Sequence, residues 1–122
     1  MIIQGTNLYI IDNSGVKKAK CIKILYRKCK FASIGDIVKI TTKKISRKSK
    51  IKKGEIFYSL IINTKYNKRI NNQQINIKFN KNCAIILDNK LDPIGTRISG
   101  IVPKIFKNTI FKKILSLANK TI

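Results

Sequence analysis

The sequence contains no His and no Trp, and across 122 residues it carries only five carboxylates: Asp12, Asp36, Glu55, Asp88 and Asp92. Without His there is no side chain that ordinarily exchanges a proton near neutrality. The five acids are too scattered along the chain to suggest a paired general acid and base. Cys21, Cys29 and Cys83 form no CxxC pair and have no His to join them as metal ligands. Each reads as a small buried hydrophobe in a reducing compartment. There is no P-loop and no GxGxxG, and Ser14-Gly15 lacks the strand-to-helix setting of a nucleophile elbow. The expectation is a protein that is not an enzyme, with no cofactor and no metal site.

Long apolar runs are missing too. The longest, such as Tyr9-Ile10-Ile11 and Ala84-Ile85-Ile86-Leu87, are strand-sized and far below the roughly 20 residues of a membrane span. Met1 to Leu8 has neither a basic n-region nor a continuous apolar segment, so no signal peptide is expected. A disordered basic tail is excluded by the opposite feature. Hydrophobic residues make up 43% of the chain, Ile prominent among them, which suffices for a modest single core.

What the chain has in excess is positive charge. Lys and Arg together number 27, giving a formal net charge of +22. A compact domain so charged repels itself, and a polyanion is the natural counterweight. Nucleic acid fits best, because each phosphate neutralised releases counterions. The densest stretch lies within 43–54, where Lys43, Lys44, Arg47, Lys48, Lys50, Lys52 and Lys53 stand with no acid among them. A run of that length without acidic offset is read as a phosphate-contacting loop rather than a merely solvated one. Arg is limited to Arg27, Arg47, Arg69 and Arg97. Lys supplies point charges, so positioning on a backbone is favoured over base readout. A second stretch, 65–74, carries Lys68 and Arg69 in an amide-rich hairpin loop, with Tyr66 as a candidate to stack on a base or sugar. Phe31, Phe57 and Phe79 are expected in the core. No RNP-type aromatic pattern or GXXG loop is present.

Periodicity points to short strands. Residues 8–11 run into the turn formers Asp12-Asn13-Ser14-Gly15. Ala19, Cys21 and Ile24 interleave with Lys18, Lys20 and Lys23 at close to a period of two. β-branched residues crowd 36–45, and 55–64 is rich in Ile and aromatics. Ile75, Ile77 and Phe79 alternate with polar residues, and 83–87 reads as a buried strand. Such a series predicts an all-β barrel or sandwich. After Pro103 the pattern changes. Ile105, Phe106, Ile110, Phe111, Ile114, Leu115 and Leu117 have helical spacing, with Asn108 or Thr109 as a cap. One domain, 1–122, is expected, with barrel and hairpin over about 1–102 and a helical part over about 103–122.

Several of these stretches resemble the large-subunit ribosomal protein "L-fourteen" family. They are Asp12-Asn13-Ser14-Gly15, Cys21-Ile22-Lys23-Ile24-Leu25, Gly35-Asp36-Ile37, and Lys50-Ile51-Lys52-Lys53-Gly54. Further on come Asn82 with 84–90, then Pro93-Ile94-Gly95-Thr96-Arg97-Ile98 with Gly100, and finally Lys113 to Ala118. The likeness spans the chain. It implies a five-stranded β-barrel with a protruding hairpin and short C-terminal helices, bound to large-subunit rRNA. It also implies an intersubunit bridge with small-subunit rRNA, and as neighbours the third and nineteenth large-subunit proteins. Thr96, Arg97 and Lys113 resemble the family surface that docks a ribosome-silencing factor.

The chain departs from the family in the hairpin, where Asn71-Asn72-Gln73-Gln74 replaces an Asp-Gly turn. It departs also at Ser99, which replaces an aromatic, and in the ending Ala118-Asn119-Lys120-Thr121-Ile122. Met1 aligns with the family's start, so no transit peptide is expected. Together with a Lys-, Ile- and Asn-rich composition suggestive of an AT-rich genome, this points to a ribosome in an organelle. A plastid-like organelle such as an apicoplast, or a mitochondrion, fits; the alternative is the cytoplasm of a low-GC bacterium. The alternative function is an extraribosomal β-barrel RNA-binding protein. A membrane-surface role is not expected, because only the short C-terminal stretch is amphipathic.

Overall fold

Five strands close into a barrel in the computed structural model, which describes residues 2–26, 28, 30–66, 68, 69, 76–108 and 111–122. They are β1 (Asn7–Ile10), β2 (Val16–Ile24), β3 (Ile37–Ile45), β4 (Ile56–Asn63) and β7 (Cys83–Leu87). The order around the barrel is β1-β2-β3-β4-β7, and β7 returns to β1 as a parallel neighbour. Between β4 and β7 the chain forms the two-residue strands β5 (Lys68–Arg69) and β6 (Asn76–Ile77), paired with each other. The hairpin tip 71–74, Cys29, Thr109 and Ile110 lie outside the described residues.

Burial explains why each strand has its own sequence texture. Strand β2 covers the barrel interior with one face only. Val16, Ala19 and Cys21 are buried while the lysines between them are exposed, hence the alternation. Strand β7 is buried along its whole length. Ala84 and Ile86 join the barrel core with Leu8, Ile10, Val38, Ile40 and Ile61. Ile85 and Leu87 face the other way into a second core with Leu60, Ile62, Ile98, Val102, Phe106 and Ile114. A strand sandwiched between two cores reads as a continuous apolar run. Buried hydroxyls in these sheets are satisfied: Ser59 Oγ donates to the Ile85 carbonyl at 2.7 Å, and Thr42 Oγ1 to the Lys52 carbonyl at 2.8 Å.

The C-terminal part differs from its expectation. Helical spacing from Ile105 to Leu117 yields a 3-10 helix, Lys104–Asn108, and one short helix α1, Lys113–Leu117. Helix α1 has Lys112 at its N-cap position with no side-chain cap, downstream of the expected Asn108 or Thr109. The last residues are not helical. Ala118–Thr121 form β9, which pairs in parallel with β8 (Ile98–Val102). Strand β8 therefore lies outside the barrel sheet, although it precedes residue 103. The edge of β8 supplies hydrogen-bond partners that override the helical pattern, and Phe106 and Ile114 are buried against the second core. The alternation at 75–79 is also shortened: β6 stops at Ile77, and Phe79 N donates instead to the Thr64 carbonyl at 3.0 Å.

Candidate nucleic-acid interface

The turn at Asp12-Asn13-Ser14-Gly15 organises the charged surface. Asp12 is consumed by the backbone: one carboxylate oxygen accepts from Ile86 N at 3.0 Å, and the other from Ser14 N at 3.1 Å and from the Ser14 hydroxyl. Gly15 has φ +96°, and a Cβ there would stand 2.5 Å from Ser49 Oγ. Only glycine satisfies both the backbone and the contact. Against this turn rests the basic segment. Ser46 N donates to the Gly15 carbonyl at 2.7 Å, Ser49 Oγ to the Ser14 carbonyl at 3.4 Å, and Ile51 N to Ser49 Oγ at 3.0 Å.

Residues 43–54 are thus an arm fastened by its neutral members rather than a free loop. Ile45 and Ile51 pack on the barrel core, and Gly54 N donates to the Thr42 carbonyl at 3.0 Å. Lys43 and Lys44 sit at the end of β3, and Arg47, Lys48, Lys50, Lys52 and Lys53 follow in the turns; all seven are exposed. Among the described residues none of the seven has a carboxylate partner. Three of the five acids, Asp12 among them, hold turns instead. Asp36 accepts from Ser33 N at 2.7 Å, and Asp88 accepts from Lys90 N and Asp92 N at 2.9 Å each.

Thr96 and Arg97 lie on the other side of the same turn. Asn13 Oδ1 accepts from Thr96 N at 2.7 Å and Arg97 N at 3.2 Å, and its Nδ2 donates to Thr96 Oγ1 at 2.8 Å. Gly95 permits this approach, since a Cβ there would meet Asn13 Oδ1 and Asp12 Cβ at 2.9 Å. Lys113 reaches the same place from α1. With Asp92, Pro93, Gly95, Thr96, Ser116 and Leu117 it lines a shallow cleft, and its Nζ stands 4.0 Å from Asp92 Oδ1. Both partners are largely exposed, so this pair contributes little to stability. Arg97 is exposed beside the cleft without lining it. Lys68 and Arg69 are placed only by their backbone, in register with Ile77 and Asn76; their side chains lie outside the described residues.

The aromatics correct an expectation. Phe57 and Phe79 pack against the two cores, but Phe31 is 50% exposed, and so are Tyr66 at 56% and Tyr26 at 75%. Phe31 is on the surface. Sequence reading also missed a group of surface residues that the strand register assembles: Tyr9, Lys18 and Lys81. Lys18 was visible as an outward position of β2, but its neighbours on other strands were not.

Cys21 and Cys83 are free and buried. Burial pushes both thiols above their ordinary range. Backbone hydrogen bonding at Lys23 works the other way at Cys21. At Cys83 the Asn63 side chain and the Lys81 charge do so. These are inert core thiols. No helix among the described residues is long and apolar enough to cross a membrane, and no cluster of three or more potential metal ligands is found among them.

A closed cationic barrel with three of its five acids serving turns, and with a basic arm anchored by serines and isoleucines, has the character of a scaffold protein. The family model for ribosomal protein L14p/L23e matches residues 1–122, the whole chain, and the chain belongs to that family. It is a structural constituent of the large ribosomal subunit, a component of the translation machinery and not an enzyme.

Proposed function

We propose that the chain binds large-subunit rRNA by backbone phosphate contact through Lys43, Lys44, Arg47, Lys48, Lys50, Lys52 and Lys53. Lys68 and Arg69 add to the contact from the hairpin. The observation that carries this reading is the pinned arm: its neutral residues are bonded to the barrel, and its cations have no carboxylate partners among the described residues. Pre-fixing the arm reduces the ordering cost on binding, and its lysines suit positioning rather than sequence readout.

The face around Thr96, Arg97 and Lys113 contributes to an intersubunit bridge with small-subunit rRNA and docks a silencing factor where the lineage has one. Its neighbours are the third and nineteenth large-subunit proteins. The ribosome in question belongs to an organelle, a reading supported by the scarcity of Arg and the abundance of Lys, Ile and Asn. Exposed Tyr26, Phe31 and Tyr66 favour one alternative, a barrel that binds single-stranded RNA by stacking outside the ribosome.

The direct experiment is the triple change Lys50→Ala, Lys52→Ala, Lys53→Ala in the full chain, with rRNA affinity measured over a salt series. The log–log slope is expected to fall by roughly 0.7–0.9 for each phosphate no longer neutralised. An unchanged slope would move the phosphate site off the arm. Sedimentation of the native chain away from large subunits would favour the extraribosomal alternative.

A further inference from the structure

A second cationic group crosses the barrel beside the arm, assembled from four strands or their flanks. Lys44 of β3 pairs with Lys18 of β2 at an irregularity, the register shifting on both sides of Lys18, and Lys18 stands opposite Tyr9 of β1. Tyr9 is in turn opposite Cys83 of β7, and its N–H donates to the Asn82 carbonyl at 3.0 Å, which brings Lys81 alongside. The Lys18 ammonium stands 5.2 Å from the centroid of the Tyr9 ring and the Lys81 ammonium 5.1 Å. All three lysines are exposed, and Tyr9 is 41% exposed. Among the described residues none of the three has a carboxylate partner. With strands roughly 4.8 Å apart, Lys44 and Tyr9 are separated by about 10 Å at the backbone.

Such an arrangement is unfavourable in the free protein. Like charges directly opposite on paired strands are destabilising, and drawing two ammoniums to one ring concentrates positive charge further. The ring's negative face offsets this only in part. An anion between the ammoniums turns the same geometry into an attractive one.

We propose that Lys18, Lys81 and Lys44 form a second RNA phosphate site, in which the Tyr9 ring is a positioning element that holds the first two ammoniums. The inference rests on the rRNA-binding reading and deepens it. Charge continuity selects an RNA strand as the occupant rather than a small free anion. Lys44 belongs both to this row and to the arm, so one backbone can run from Lys48 and Arg47 across Lys44 to the Tyr9 end. Because two ammoniums already attend the ring, Tyr9 acts as a holder rather than as a base-stacking platform. The interaction of a cation with a ring needs the π-face and not the hydroxyl, so Phe should replace Tyr9 and Leu should not.

The test uses the full chain and large-subunit rRNA over a salt series. Lys18→Gln with Lys81→Gln is expected to lower the log–log slope by roughly 0.7–0.9 for each phosphate left without its ammonium. Tyr9→Leu should weaken binding several-fold with both lysines retained, and Tyr9→Phe should match the native chain. Independently of any variant, acetylation of the native chain should modify Lys18 and Lys81 when free and spare them when RNA is bound. A native slope in the double variant, with the Lys50, Lys52, Lys53 triple change still lowering it, overturns this site and leaves the rRNA reading intact. Native binding by Tyr9→Leu overturns the positioning role. If the native chain itself binds rRNA without salt dependence, both readings fail together.

Discussion

Gly15 and Ser49 touch so closely that the turn after β1 and the tip of the basic arm are a single structural unit. A Cβ on Gly15 would lie 2.5 Å from Ser49 Oγ and 2.6 Å from Ser49 Cβ, and the residue's φ is +96°. Gly15→Ala therefore carries two penalties, backbone strain of about 1–3 kcal/mol and displacement of the arm. Ser49→Gly removes the Oγ and Cβ clashes but leaves the strain and a 3.1 Å approach to Ser49 Cα, and it gives up the Ser49 hydroxyl bonds. The double variant should melt above Gly15→Ala alone and below the native chain. Thermal melts of the four proteins measure the coupling, and strict additivity would show that the contact is not felt.

Asn13 performs the matching task on the other side of the turn. Its carboxamide makes three hydrogen bonds to Thr96 and Arg97, so Asn13→Ala leaves two backbone N–H groups without that acceptor. A loss of about 1–2 kcal/mol is expected at these exposed positions. Faster amide exchange at Thr96 and Arg97 than at the β4–β7 ladder would locate the loss. Uniform acceleration would show instead that the whole fold had been weakened.

The pairing of Lys18 with Lys44 predicts an opposition between stability and binding. Lys44→Gln relieves a cross-strand repulsion and should raise the melting temperature of the free protein at low salt. The gain is about 0.2–1 kcal/mol, shrinking as salt screens the exposed charges. The same change should weaken rRNA binding. A lower melting temperature at low salt would mean that Lys44 contributes packing that outweighs its charge.

How far the sequence disclosed all this depended on how many faces each segment buries. Strand β2 shows its lysines by alternation because one face is wet, and β7 shows itself as an apolar run because both faces are dry. Strand β9 was not legible. Asn119, Lys120 and Thr121 carry no apolar alternation, and the strand exists because the edge of β8 accepts it. The arm was legible as composition, but its fastening was not, since Ser46 and Ser49 gain meaning only when β2 and β3 pair. Tyr9, Lys18 and Lys81 lie far apart in sequence, and only the register gathers them. Phe31 was misplaced because aromatic character alone does not distinguish a core position from an exposed one.

The two buried thiols give the last prediction, and its sign follows from their shift. Burial holds Cys21 and Cys83 above the ordinary thiol value of 9.0 in the folded chain. The unfolded chain releases those protons first, so above pH 9 it binds fewer protons than the native state, and stability falls with rising pH. The contribution is complete below pH 9 and disappears as pH climbs through the folded values. Lys and Tyr also titrate in that range, so the native curve alone is ambiguous. The comparison that isolates the thiols is Cys21→Ala with Cys83→Ala. This variant starts less stable, because it removes two buried side chains, yet it should lose less stability between pH 8 and pH 10.5 than the native chain does. Parallel pH curves would mean that the thiols titrate alike in folded and unfolded states. That result would contradict their burial in the folded chain.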